Sequence, residues 1–234
     1  VHALATYAGL RMTAVEMAEL ACSLEIERLN MPIGKQDQYA STVGGLNTIA
    51  FAADGVSVSP LTLPADVVSS LSARLMLFST GQNRDSAAIL GQQRADTEKK
   101  PATMEALHHI KALAVKMQEA LLAGDLALFG QLLDLGWHQK KRLSRKVTSS
   151  AIDHWYATAR RAGAIGGKIA GAGGGGFLLL YCPQRRQQAV RKALAACGLH
   201  EMTFDIDFGG TQILSNFTDL SGPGNTLPIP LFND

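Results

Sequence analysis

A chain of 234 residues that is 47% hydrophobic has enough apolar side chain to bury a core, so it reads as globular, with one large domain or one and a half smaller ones. A formal net charge of +2, with 18% charged residues, creates no polyanion-binding field and gives nucleic acid no compositional support as a partner. Cys22, Cys182 and Cys197 lack paired spacing, which argues against disulfides or zinc and for a cytoplasmic setting, while the longest apolar run, Phe177 to Cys182, is too short to span a bilayer.

The first residues, Val1 to Ala8, read as the middle of a helix without a start signal. Thr13 and Glu16 have capping-box spacing, and Met17, Leu20, Ala21, Leu24 and Leu29 recur near helical period, so a helix is expected over 13–30, ending before Pro32. Asn30 to Gly34 is then a turn, and Lys35 to Tyr39 begins a new helix or a tight loop. The runs 46–52 and 56–63 flank Ala53-Asp54-Gly55 as a hairpin, and Pro60 and Pro64 mark a boundary near 65–70.

Residues 74–79 form a short buried-strand candidate, and the polar, aperiodic stretch 82–100 is a mobile loop or a marginal helix. Helices follow at 98–123, ending at Gly124, and beyond Asp125, which can cap the next; a third, capped by Thr148 or Ser149, leads to Ile165. A strand at 177–182, a helix at 184–197 stopped by Gly198, and strands near 202–206 and 209–214 complete the pattern. This order predicts an α+β fold, a two-layer sandwich, with an irregular tail from 221 to 234.

Two features carry chemistry. In Pro32-Ile33-Gly34-Lys35-Gln36-Asp37-Gln38-Tyr39, Asp37 lies two residues from Lys35, whose charge favours the ionised carboxylate; locally this is also what an ordinary surface turn looks like. Glu25 and Glu27, two apart on a helix, cannot share a face, so only one can turn inward. The second feature is the run Gly171-Ala172-Gly173-Gly174-Gly175-Gly176. Its spacing imitates a dinucleotide fingerprint, but it opens into the strand Phe177 to Cys182 rather than a helix, and no acidic residue stands near 196. A Walker loop fails too, because Lys168 is followed by Ile169. A flexible bend remains as the plain alternative, yet eight glycines in fourteen residues, 163 to 176, exceed the need of a turn and suit backbone that approaches an anion or another loop closely. Thr80 and Arg84, in Phe78-Ser79-Thr80-Gly81-Gln82-Asn83-Arg84, follow a strand; Arg84 can grip a phosphate or be an ordinary exposed arginine. Lys140-Lys141-Arg142 with Arg145-Lys146 reads as a solvated face near a helix end.

These blocks, in this order, resemble the GHMP kinase superfamily, in particular its sugar-kinase branch that includes heptose 7-phosphate kinase. The resemblance implies a ferredoxin-like C-terminal domain at 67–220 beside the remnant of an N-terminal domain at 1–66. The family's main ATP-binding loop has no copy in the chain and is implied to precede Val1. The implied reaction is ATP-dependent phosphorylation of a sugar or sugar phosphate, best matched by heptose 7-phosphate at its anomeric hydroxyl. Asp37 matches the catalytic aspartate and Glu25 the glutamate for Mg2+. Lys35, Gln36, Gln38, Tyr39, Thr80 and Arg84 match the acceptor side, and Gly171, Gly173, Gly174, Gly175 and Gly176 the ATP side. A homodimer is the protein partner considered, and the other reading is a non-catalytic domain that binds a small anionic metabolite or a partner chain.

Overall fold

The computed structural model describes residues 1–82 and 86–214. By contact these fall into two units: 1–30 and 34–45 with 207–214, and 31–33 with the described residues of 46–206. In the smaller unit, α1 (His2–Tyr7) has no side-chain cap and leaves Leu4, Tyr7 and Leu10 exposed. Helix α2 (Ala14–Cys22) opens with the expected capping box: Thr13 Oγ1 accepts from Glu16 N–H, and Glu16 Oε2 accepts from Thr13 N–H at 2.7 Å. The helix does not run on regularly to residue 30. It widens into a π-helical turn, Ser23–Arg28, and leaves through Asn30 at φ 51°.

Helix α3 (Gln36–Val43) resolves the helix-or-loop alternative at 35–39 in favour of the helix. It stops at Gly44, where a Cβ would lie 2.2 Å from Gly210 N. That close approach accounts for a correction, because 209–214 is not a strand. Asp207 O accepts from Gly45 N–H at 2.6 Å and Thr211 N–H donates to Thr42 O at 3.3 Å, so this backbone bonds to the end of α3, and Gly210 at φ 61° cannot extend a ladder.

In the larger unit, β1 (Asn47–Ala52) and β2 (Gly55–Pro60) form the expected hairpin. It groups with the larger unit although Pro60 and Pro64 read as a boundary, because Leu46, Leu61 and Leu63 pack on a cluster of Leu71, Leu121, Leu126, Leu133 and Tyr181. The chain continues through α4 (Ala65–Ser72), β3 (Leu75–Ser79), α5 (Ser86–Lys99), α6 (Pro101–Leu122), α7 (Leu126–Lys141), α8 (Ser150–Ala162), β4 (Gly166–Ile169), β5 (Phe177–Tyr181), α9 (Gln184–Ala195) and β6 (His200–Met202). Asp125 and Ser149 cap α7 and α8 by accepting from Leu128 N–H at 2.9 Å and Ile152 N–H at 3.3 Å. The strand expected at 202–206 is shorter and earlier, since β6 pairs only with Leu77 to Ser79.

The sheet order is β4-β5-β3-β6 with every neighbouring pair antiparallel, a β-α-β-β-α-β path in which four helices occupy the first crossover. The α+β expectation therefore holds. Met76 and Phe78 of β3 and Leu178 and Leu180 of β5 turn one face of the sheet into a core with Ile152, Val190 and Leu194 of the helices. Burying each such side chain contributes about 1.5–3 kcal/mol. Strand β4 lies hard against α7, since a Cβ on Gly166 would meet Gly130 O at 2.0 Å. No helix among the described residues is long and apolar enough to cross a membrane.

Candidate functional site

Within the smaller unit, the π-helical turn closes with Leu29 N–H donating to Leu24 O, five residues back, at 3.0 Å. The two carboxylates of the turn diverge. Glu25, half-buried, accepts from Gln38 Nε2 of α3, whereas exposed Glu27 accepts from Ser23 Oγ at 2.7 Å. Gln38 is thereby joined to Glu25 although thirteen residues separate them. Its Oε1 is buried and has no donor among the described residues, so a carboxylate and an orphaned amide oxygen stand on neighbouring residues. Hard oxygens of this kind are what Mg2+ takes, with water and phosphate oxygens completing the octahedron. The fit is partial, since among the described residues no group of three or more His, Cys, Asp or Glu could hold a metal.

Asp37 lies in the first turn of α3, where the helix dipole favours a carboxylate, and it is exposed. One oxygen accepts from Gln36 Nε2 at 3.3 Å, and its main-chain carbonyl accepts from Ser41 Oγ at 2.5 Å. Lys35 and Gln36 are also exposed. Tyr39 is not: at 1% exposure it is core, together with Met17, Ala18 and Cys22, and burial followed by nearby Glu19 raises its hydroxyl pKa. A direct substrate contact expected of Tyr39 does not fit that position, because helical period turns it away from Asp37 and inward.

In the larger unit, the expected glycine loop joins β4 to β5. Gly171, Gly173, Gly174, Gly175 and Gly176 all have positive φ, from 71° to 150°. The loop is packed rather than open. Gly174 N–H donates to Val147 O at 2.8 Å and Gly176 N–H to Gln82 O at 3.2 Å, so these two amides are engaged within the protein. A Cβ on Gly173 would meet Val147 O at 2.8 Å, and one on Gly175 would meet Gln82 O at 2.9 Å. Thr80, expected on the acceptor side, is buried, and its Oγ1 and N–H both donate to Gly176 O, at 2.8 and 2.9 Å. Its hydroxyl holds the loop. Arg84 lies outside the described residues.

Sequence reasoning missed the bed on which this loop rests, the segment Ser144 to Val147, and it missed Lys140, whose Nζ donates to Gly171 O. The basic run is not simply a solvated face: Lys141 pairs with Asp153 at 3.1 Å and Arg142 with Glu105 at 3.0 Å. Thirty-one residues separate Lys140 from Gly171, so no local spacing could have linked them.

Residues 117–199 match the family described as GHMP kinases C terminal. Over 195 residues the chain is 34% identical to the D-glycero-alpha-D-manno-heptose 7-phosphate kinase of Campylobacter jejuni, covering 83% of this chain and 57% of that protein. A galactokinase of Mycobacterium bovis is 25% identical over 227 residues, covering 82% of this chain and 61% of its own length. Among solved structures, a D-glycero-D-manno-heptose 1-phosphate kinase from Bacteroides thetaiotaomicron superposes with a TM-score of 0.68 at 28% identity, over 91% of this chain and 60% of that one. The chain thus spans roughly three-fifths of the length of the relatives it matches.

Proposed function

We propose that the chain, whose residues 117–199 match the GHMP kinase C-terminal family, serves an ATP-dependent sugar kinase whose acceptor is heptose 7-phosphate, phosphorylated at the anomeric hydroxyl. The observation that carries this reading is Asp37, an exposed carboxylate whose neighbours Gln38 and Tyr39 are turned inward. Phosphoryl transfer asks for a positioned acceptor of the hydroxyl proton more than for covalent chemistry. Asp37 takes or orients that proton as the sugar oxygen attacks the γ-phosphorus, and the bond to the β-bridging oxygen breaks to release ADP. Lys35 and Gln36, exposed beside it, contact the sugar phosphate. Glu25, with Gln38 Oε1, would hold Mg2+, which when bound neutralises charge on the phosphates. The glycine loop acts through backbone and shape on the phosphate side. Residues 1–66 are proposed as the remainder of the family's N-terminal domain, and the enzyme as cytoplasmic, where Mg-ATP is supplied.

The test is a coupled ADP-release assay on the full-length gene product with Mg-ATP and a panel of heptose 7-phosphate, hexose phosphates, galactose and mevalonate. Heptose 7-phosphate is expected to give the highest kcat/KM, with phosphorus NMR showing a new anomeric phosphate. Turnover on another sugar alone would replace the acceptor. No ADP release with any of them would remove the enzyme reading and leave a domain that binds small anions.

A further inference from the structure

The glycine loop begins with a tight turn through Gly171 and Ala172, the glycine at φ 71°. The central peptide of such a turn, here the one joining these two residues, can flip end over end with little movement of its neighbours, which is the difference between paired turn types. Its direction decides whether the turn presents a carbonyl or an amide. Lys140, in the last turn of α7, donates from Nζ to Gly171 O. A planar trans peptide carries its C=O and the following N–H in opposite directions. The bond that draws Gly171 O toward α7 therefore sends Ala172 N–H away from α7.

That N–H differs from others in the loop. Gly174 and Gly176 donate to Val147 O and Gln82 O, whereas among the described residues neither the Gly171 nor the Ala172 N–H has a protein acceptor. Gly171 is exposed and Ala172 half-buried, so the pair reaches solvent. Successive unpaired amides on a loop with left-handed glycine make a concavity that suits an anion, provided that no carbonyl is turned into it. A lysine offsetting the dipole of α7 would not need to touch the loop at all.

We propose that Lys140 is a positioning residue, which locks the Gly171–Ala172 peptide with its N–H outward as a donor to a phosphate oxygen. The nature of the ligand rests on the kinase reading; the lock does not. Either the nucleotide or the sugar phosphate could supply that oxygen, and the measurement separates them. In the full-length gene product, Lys140→Met and Lys140→Arg are compared with wild type by hydrogen exchange across 170–176, and by titration with Mg-ATP and, separately, with heptose 7-phosphate. Lys140→Met should speed exchange of the bonded amides of Gly174 and Gly176 while leaving α8 and α9 unchanged. It should weaken one of the two ligands by on the order of fivefold or more, the loss expected for one charge-assisted hydrogen bond at a partly exposed site. Lys140→Arg should restore both readouts, and the ligand that weakens is the one whose phosphate meets Ala172. Unchanged exchange in Lys140→Met overturns the lock, and faster exchange with both affinities intact overturns its role toward an anion. Should the wild type bind neither ligand, the kinase reading falls instead, and the exchange comparison still upholds or overturns the lock.

Discussion

The segment around Asp37 and the glycine loop are the two regions that carry the candidate residues, and they are held in opposite ways. Asp37, Lys35 and Gln36 are exposed on a small unit whose buried apolar side chains, among the described residues, are few: Ala5, Met17, Ala18, Cys22 and Tyr39. Nothing in the packing requires an aspartate at 37. The loop, by contrast, sits at the end of a sheet with a continuous core, and the space around Gly173 and Gly175 admits no side chain. Sterics therefore fix the residue type in the second region and leave it open in the first, so under the proposed reading substitutions should separate activity from stability in the first and confound them in the second.

The largest expected effect on stability is at the loop. Gly173→Ala and Gly175→Ala place a Cβ under 3 Å from backbone carbonyls, of Val147 and Gln82, at φ 108° and 150°. Each should cost roughly 2–4 kcal/mol by denaturant unfolding, combining backbone strain with a clash that no side-chain rotation relieves. A cost under about 0.5 kcal/mol would mean that the loop is not packed as described. Gly174→Ala should cost less, about 1–2 kcal/mol, because the nearest obstacle is Ile89 Cδ1 at 2.6 Å, the end of a side chain that can move. In an Ile89→Ala background the penalty of Gly174→Ala should shrink, and strictly additive costs would exclude that contact.

The smallest effect compares the units through their thiols. Cys197 is half-buried, whereas Cys22 and Cys182 are buried; burial raises the Cys22 pKa and pushes that of Cys182 up to about 11. Timed labelling with an aromatic disulfide at pH 8 should modify Cys197 at once, Cys22 later through local opening of the small unit, and Cys182 last. Labelling of Cys182 ahead of Cys22 would reverse the assignment of the firmer region.

Elements that carry their own punctuation were legible in the sequence. The Thr13–Glu16 capping box, the Asp125 cap, the hairpin at Gly55 and the apolar strand at Phe177 are each local signals, and each appears where it was expected. What was not legible depends on distant partners. Strand β4 consists of Gly166, Gly167, Lys168 and Ile169, a poor strand former by propensity, and exists because β5 and α7 accept backbone at close range. The expected strand at 209–214 fails because its backbone is taken up by the end of α3, where Thr211 N–H donates to Thr42 O and Gly210 lies hard against Gly44. At the candidate site, Asp37, Glu25 and the glycines could be picked out by type and order. The inward turn of Tyr39, the use of Thr80 to hold Gly176, and the reach of Lys140 to Gly171 are tertiary contacts with no spacing to betray them.

The most direct test of the chemical assignment is Asp37→Asn in the full-length gene product, which keeps the shape of the side chain and removes its basicity. With saturating Mg-ATP and heptose 7-phosphate, kcat is expected to fall on the order of 10²-fold or more, with the unfolding midpoint and Mg-ATP affinity unchanged. Turnover at the wild-type rate would contradict a role for Asp37 in the proton transfer.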